Sequence, residues 1–340
     1  MKKIAIITDA WQPQVNGVVT VFEHMVSELK EKGFDTLVIH PGLFQHTMPL
    51  PLYPEITLAL FPGEHLRKLL REYSPDAVHI ATEATLGLAA RRYCIDEKIS
   101  FTTSYHTHLQ LYFGVYLSNL VTPVMSRWLR WFHAAAVRTL VATPSLKEEL
   151  EKQGFKHVEL WPLGVDFDKF VPMEPPAHLP ILQKPVFTYF SRLAQEKNPQ
   201  AFFDLDLPGT KLVIGDGPMR EELEETYGKT AHFVGYQHGK ELVEWLSLSD
   251  VVIFPSKTDT FGLVVVEALA CGIPVAAYDV MGPRDIITQG VDGYVGSDLK
   301  EGALSCLTLS SEACRAKALQ YSWSRSGGVF LQKLAFVDKA

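Results

Sequence analysis

The sequence is short of the features that mark several large protein classes. Its four cysteines, Cys94, Cys271, Cys306 and Cys314, are scattered and form no C-x-x-C pair. Neither a disulfide framework nor a zinc site is expected, and a reducing cytosol fits. No apolar run approaches the roughly 18 residues of a membrane-spanning helix. The opening MKKIAIITDA is basic and then apolar, but IAII is far shorter than the core of a secretory signal and Asp9 ends it, so it reads as a first buried strand. No G-x-G-x-x-G follows that strand and no Walker sequence occurs, which disfavours an ordinary dehydrogenase and a P-loop enzyme; IGDGPM supplies only G-x-G. Positive charge is scarce as well. There are 32 Lys and Arg against 39 Asp and Glu, a net of −7, which argues against a general nucleic-acid binder. Residues 1–170 hold 17 basic and 18 acidic side chains, so the remainder carries the surplus acid, while nine basic and six acidic residues lie between 60 and 140. Any anionic surface would be met by the N-terminal half.

What is present is an alternation. The 340 residues are 47% hydrophobic and 21% charged, as in a soluble globular protein, and suffice for two α/β domains. KIAIITD, DTLVIHP, DAVHIAT, SFTTSYH and TLVATPS read as short buried strands, and TVFEHMVSELKEKG and SLKEELEKQG as helices closed by glycine. The proline-rich PLGVDFDKFVPMEPPAHLPILQKP has no period and reads as a linker. A second series follows: VFTYFS, TKLVIGD, AHFVGY, DVVIFPS and GIPVAAY. Such alternation predicts an α/β protein of two Rossmann-like, doubly wound parallel-sheet domains facing a cleft. The expected boundaries are 1–168 and 169–321, with a tail of about 322–340 packing back on the first domain. Ligands of these sheets bind beyond the carboxyl ends of the strands.

Three loops after strands carry candidate chemistry. In DAWQPQVNGVVTVFEHM, Gly17 lets the backbone approach a phosphate at a helix start near Val18; a plain tight turn accounts for the spacing equally well. In YFSRLAQEKNPQ, Arg192 and Lys197 stand at a strand-to-helix turn, where a guanidinium fork and an ammonium can neutralise a diphosphate; alone, a solvated basic pair explains them as simply. In PSKTDTFGLVVVEALACGIPVAAYDVMGPRDII, Asp259 precedes Phe261–Gly262 and a predicted helix. Glu267 lies in that helix among Val264, Val265, Val266, Ala268 and Leu269. A carboxylate in such a run needs a partner or a ligand, and two ribose hydroxyls would serve, as would a structural salt bridge.

Two metal signals are weak. Asp204-Leu205-Asp206 spells D-x-D but precedes Pro208–Gly209 and reads as a turn, and His106–His108 spells H-x-H without convincing further ligands. SNLVTPVMSRWLRWFHAAAVRTL crowds Arg127, Trp128, Arg130, Trp131 and Phe132 on a helix. That pattern suits the plane of an anionic membrane, and equally a helix packed on the sheet with exposed arginines.

Together PQVNGVV, SYHTHLQLY, GVDFDKF, SRLAQEKN, IGDGP, FPSKTDTFGLVVVEALACGIPVAAY and GPRD resemble glycosyltransferase family 4, over nearly the whole chain. The resemblance implies the GT-B fold and leans toward the branch of sulfoquinovosyl-, diacylglycerol glycosyl- and mannosyltransferases. It places the family's E-x7-E motif on Asp259 and Glu267, with Glu267 on the ribose and Asp259 on the donor sugar. Phe261, Gly262 and Leu263 would line sugar and phosphates, and Arg192 and Lys197 would hold the diphosphate. Gly17 would offer its N–H from the other domain. His106 would sit near the reacting face of the sugar, and Gly215 and Tyr236 near the nucleobase. Asp259 stands where glutamate is commoner, Ser191 where glycine is frequent and Asp285 where glutamate is frequent; the first bears on which sugar is held.

The resemblance further implies a retaining hexosyltransferase using a UDP- or GDP-sugar, with no metal and no other cofactor. A lipid acceptor such as diacylglycerol is expected, in the cytoplasm or peripherally on the inner face of the plasma membrane. Rival readings are a mannosyltransferase acting on a glycan or phosphoinositide, and a nucleotide-sugar epimerase of the same fold.

Overall fold

The computed structural model describes residues 1–14, 16–50, 53–106 and 122–337. It divides into two compact units, Met1–Leu163 with Trp323–Ala340, and Gly164–Ser322. His108, half of the H-x-H pair, lies outside the described residues.

The first unit contains β1 (Lys3–Ile7), β2 (Asp35–Ile39), β3 (Thr47–Leu50), β4 (Tyr53–Ala59), β5 (Ala77–Ile80), β6 (Phe101–Ser104), β7 (Arg138–Val141) and β8 (Val158–Leu160). Six of them form one parallel sheet in the order β2-β1-β5-β6-β7-β8, and β3 and β4 pair as an antiparallel hairpin. β5 and β6 are buried along their whole length, so AVHI and FTTS carry no charge at neutral pH. The helices Gly63–Tyr73 and Thr85–Asp96 close over one face, where Leu66, Leu70, Leu86 and Ala90 join Ile7, Val78 and Ile80 in one core.

The last helix, Trp323–Lys333, belongs to this unit. Trp323 stacks on His24 at 4.6 Å, Lys333 Nζ meets Glu159 Oε2 at 2.7 Å, and Val337 N–H donates to the Asp76 carbonyl at 2.7 Å.

The second unit contains β9 (Val186–Phe190), β10 (Thr210–Ile214), β11 (Ala231–Gly235), β12 (Val251–Phe254), β13 (Val275–Tyr278) and β14 (Gly293–Gly296). All pair in parallel, in the order β11-β10-β9-β12-β13-β14. In both sheets the first strand is an interior one, second from the edge in the first sheet and third in the second. The chain winds outward on one side, then returns and continues on the other. The switch falls between β1 and β5 in the first sheet and between β9 and β12 in the second, and crevices form there at the carboxyl ends. The hairpin, β8 and β14 are additions to the sequence reading.

Candidate functional site

At the second switch point two loops leave the sheet side by side, Ser191–Lys197 after β9 and Pro255–Gly262 after β12. Side chains stitch them together. Lys197 Nζ donates to Asp259 Oδ1 at 2.5 Å, Asn198 Nδ2 to the Pro255 carbonyl at 3.1 Å, and Thr258 Oγ1 to the Glu196 carbonyl at 3.0 Å. Tyr189 OH holds the Arg192 carbonyl at 2.6 Å, so the stretch carrying the guanidinium is anchored from below. Lys197 and Asp259 are only partly exposed. A pair of this kind adds little net stability; its consequence is to fix two opposite charges at the mouth of the sheet. Asp259 Oδ2 is buried and has no hydrogen-bond partner among the described residues. It is an acceptor in need of a donor.

The helix Leu263–Ala270 starts immediately after this loop. Its start is made by Gly262 at φ +87°, which turns the chain sharply into the helix, and no side chain caps it. Val265 N–H donates to the Gly262 carbonyl at 2.9 Å, while no side chain takes the Leu263 or Val264 amide, so the start can accept an anion. Gly215, after β10, is required by contact: a Cβ there would lie 1.9 Å from the Ser191 carbonyl oxygen. That closeness keeps the β10 loop against the β9 loop. Tyr236, after β11, is half exposed beside the His238 ring.

Glu267 sits farther along the same helix, half buried. Burial pushes its carboxyl up to about 7, with the Lys169 ammonium pulling the other way. Asp204 and Asp206 stand at the opposite edge, before β10. Asp204 accepts from Gln200 Nε2 and Tyr227 OH, and Asp206 pairs with Lys300 at 3.1 Å. Among the described residues no three His, Cys, Asp or Glu side chains gather as metal ligands.

At the first switch point, Gly17 begins the helix Gly17–Glu31 and is exposed. The Asn16 carboxamide takes the Val18 and Val19 N–H groups at 3.0 Å each, a cap that does not use the Gly17 amide. His106 follows β6 and packs against Phe22 and Trp161; burial lowers its pKa to about 4.

Two family models match the chain, Glycosyltransferase Family 4 over residues 15–169 and Glycosyl transferases group 1 over residues 174–305. A GDP-mannose-dependent alpha-mannosyltransferase of Mycobacterium tuberculosis is 31% identical over 86% of this chain and 83% of its own length. The chain belongs to glycosyltransferase family 4. The sulfoquinovosyl transferase SQD2 of Arabidopsis thaliana is 27% identical over 91% of this chain and 68% of its own, and the alpha-monoglucosyldiacylglycerol synthase of Streptococcus pneumoniae 25% over 89% and 77%. Sucrose-phosphate synthase from Thermosynechococcus elongatus shares the fold at a TM-score of 0.77, with 18% identity and 98% of both chains covered. Anabaena HepE in complex with UDP-glucose shares it at 0.70, with 15% identity, covering 98% of this chain and 100% of that one.

In this glycosyltransferase Arg192, Lys197, Asp259, Phe261, Gly262, Leu263 and Gly215 gather at the carboxyl edge of the second sheet, with Glu267 further along the helix that starts there. On the helix Thr122–His133, Val124, Arg127 and Trp131 are exposed at i, i+3, i+7 spacing, and Arg130 is exposed beside them. Trp128 is half buried against Phe132, which points into the core. Arg91 lies 3.9 Å over the Trp131 ring and donates to its carbonyl. Among the described residues no helix is long and apolar enough to cross a membrane.

Sequence reasoning missed Asp9. It is buried at the end of β1 and accepts from Thr82 Oγ1, Thr85 Oγ1, Leu86 N and Gly87 N. Burial raises its pKa and these donors oppose the rise. An aspartate closing an otherwise apolar strand was the signal available.

Proposed function

We propose that this chain is a retaining, metal-independent hexosyltransferase. It would move a sugar from a UDP- or GDP-linked donor to a lipid acceptor, diacylglycerol foremost, in glycolipid synthesis. One observation carries the reading: a fixed lysine–aspartate pair stands beside an uncapped helix start at the switch point, with one aspartate oxygen buried and open.

Arg192, Lys197 and the first amides of Leu263–Ala270 would bind the diphosphate, Asp259 Oδ2 a hydroxyl of the sugar, and Glu267 the ribose diol. In the first unit the Gly17 amide is assigned to the diphosphate and His106 to the reacting face of the sugar. Gly215 and Tyr236 are assigned to the base.

A double displacement would need a carboxylate nucleophile about 5 Å from a paired acid. Asp259 is engaged by Lys197, and Glu267 is given to the ribose. Front-face substitution fits better. The bond from the anomeric carbon to the phosphate oxygen breaks, the acceptor oxygen bonds to that carbon on the same face, and the acceptor proton passes to the departing phosphate. The chain's part is then positioning and stabilisation of the leaving charge.

Arg192, Lys197 and a helix start would supply that positive charge in place of a divalent ion. Peripheral contact with anionic membrane on the cytoplasmic side is proposed for Arg127, Trp128, Arg130 and Trp131, with Trp131 the more exposed tryptophan. Unchanged vesicle flotation in a Trp128→Ala/Trp131→Ala double variant would sink that contact.

The likeness to a GDP-mannose-dependent enzyme favours a second reading, in which the donor is GDP-mannose and the acceptor a glycan or phosphoinositide. Donor turnover measured across UDP- and GDP-sugars, with and without diacylglycerol and in excess chelator, separates these readings. Turnover that needs no acceptor would instead point to an epimerase. Loss of activity in chelator, restored by a divalent ion, would overturn metal independence.

A further inference from the structure

Five aromatic rings inside the first unit form a continuous cluster. Phe22 lies on the helix Gly17–Glu31, His79 in β5, His106 after β6, Trp161 after β8 and Phe330 on Trp323–Lys333. Phe22, His79, Trp161 and Phe330 are at most 1% exposed. Trp161 and His79 each meet Phe330 at 4.8 Å, and His79 meets Phe22 at 5.6 Å. His106 is half buried at the rim of the cluster and is met edge-to-face on two sides. Phe22 approaches it at 5.3 Å and 83°, Trp161 at 5.6 Å and 75°.

We propose that Trp161 is a positioning residue for sugar transfer: with Phe22 it clamps the His106 imidazole in one orientation and keeps water from it, so that His106 acts as a neutral hydrogen-bonding group. The proposal rests on the placement of His106 at the reacting face of the sugar.

The ring torsion of a histidine is broad, and two near-perpendicular aromatic neighbours narrow it. The Trp161 indole N–H is buried and has no hydrogen-bond partner among the described residues, so packing of its faces is what holds it. Aromatic faces attract a cation and on their own would favour a charged imidazole. Burial outweighs that attraction and carries His106 down to about 4. His79, the other titratable ring in the cluster, bonds Thr102 Oγ1 at 2.9 Å and Ser104 Oγ at 3.1 Å and is also driven far down by burial. Both histidines are therefore neutral at working pH.

The test pairs an NMR titration of the His106 ring in the full chain with steady-state kinetics. Trp161→Leu should raise the His106 pKa by about one unit or more as water reaches the ring. It should also lower kcat about tenfold, with donor KM held within about twofold. Trp161→Phe should restore most of both. If Trp161→Leu does not fold, Trp161→Met, of similar volume but unbranched and better able to fill an irregular gap, carries the same expectations. An unmoved His106 pKa overturns the clamp, and so does an unchanged kcat with a pKa that has moved. His106→Ala separates the two ideas. Full kcat there removes His106 from the reaction and with it the placement of that ring at the reacting face of the sugar. A lowered kcat, with a titration indifferent to Trp161, keeps that placement and removes only the clamp.

Discussion

The two sheets share a winding, yet the equivalent helices at their switch points begin differently. Thr85–Asp96 follows β5 in the first sheet and Leu263–Ala270 follows β12 in the second. The first start is filled from within: Asp9 accepts Leu86 N–H at 3.0 Å and Gly87 N–H at 3.5 Å. The second carries no side-chain cap and follows directly on the loop that holds the Lys197–Asp259 pair. Amides already given to the chain's own carboxylate cannot serve an external anion, whereas open ones can. The open start in the second unit is accordingly the one proposed for the donor's diphosphate, together with the Gly17 amide of the first unit. In the first unit His79 and His106 lie among aromatic rings, and burial lowers the pKa of both.

The largest expected effect comes from stripping charge off the open edge. Arg192→Ala should lower kcat by about 10² or more, the loss typical of one preorganised donor. Its denaturation midpoint should stay close to that of the parent, because Arg192 is a partly exposed loop residue. A near-normal kcat would mean that the leaving charge is held elsewhere, and the contrast between the edges would break. At the filled edge the expectation reverses. Asp9→Ala relieves a buried charge but strands two hydroxyls and two amides. The stranded donors should dominate, at about 2 kcal/mol or more of stability. Denaturant unfolding reads that loss, and donor KM should hold for the molecules that remain folded. A rise in donor KM as large as the loss of stability would blur the distinction.

How much of this was legible in the chain follows from the same contrast. Strands buried on both faces must be apolar or small throughout, so KIAII, VFTYF and VVIF announce themselves and two parallel sheets follow. The hairpin contains Pro49 and Pro54, and β14 is bounded by Gly293 and Gly296, so neither carries that signature. Arg192, Lys197 and Asp259 could be singled out because each follows a strand, where ligands bind. Their contact could not, since 62 residues separate Lys197 from Asp259. Asp9 and Trp161 act through partners still farther along: Leu86 is 77 residues from Asp9, and Phe330 lies on the final helix. Position along a strand is a local property, whereas a cap or a clamp supplied from elsewhere in the fold is not.

Glu267 sharpens the comparison through pH. Its ordinary value is 4.5, and burial carries it to about 7. Between those values the folded chain keeps a proton that the unfolded chain has released. Stability contributed by this group is therefore full below about 4.5 and is lost as pH rises through 7, an effect of about 1–3 kcal/mol. Glu267→Gln removes the penalty, so its melting point should exceed the parent's at pH 8 and match it near pH 5. Donor binding should move the other way. A carboxylate accepts two ribose hydroxyls better than an acid does, so parental donor KM should fall as pH rises through about 7. In Glu267→Gln that dependence should be missing and KM higher, by about tenfold at pH 8, as expected for a lost charged hydrogen bond. A parental KM flat across this range would take Glu267 off the ribose.

The smallest expected effect belongs to the carboxylates at the wrong end of the second sheet. Asp204 and Asp206 precede β10, so they sit at its amino edge, while every loop assigned to the donor leaves a carboxyl edge. Asp206 is almost fully exposed, with Lys300 at 3.1 Å, and an exposed pair of this kind is worth at most about 1 kcal/mol. Asp206→Asn should shift stability by no more than about 0.5 kcal/mol and leave kcat and the response to chelator as in the parent. A loss of activity that added Mg²⁺ or Mn²⁺ repaired would place a metal-bound phosphate at the amino edge. The two switch points would then no longer be the ends that matter, and the division of labour between an open and a filled helix start would fall with them.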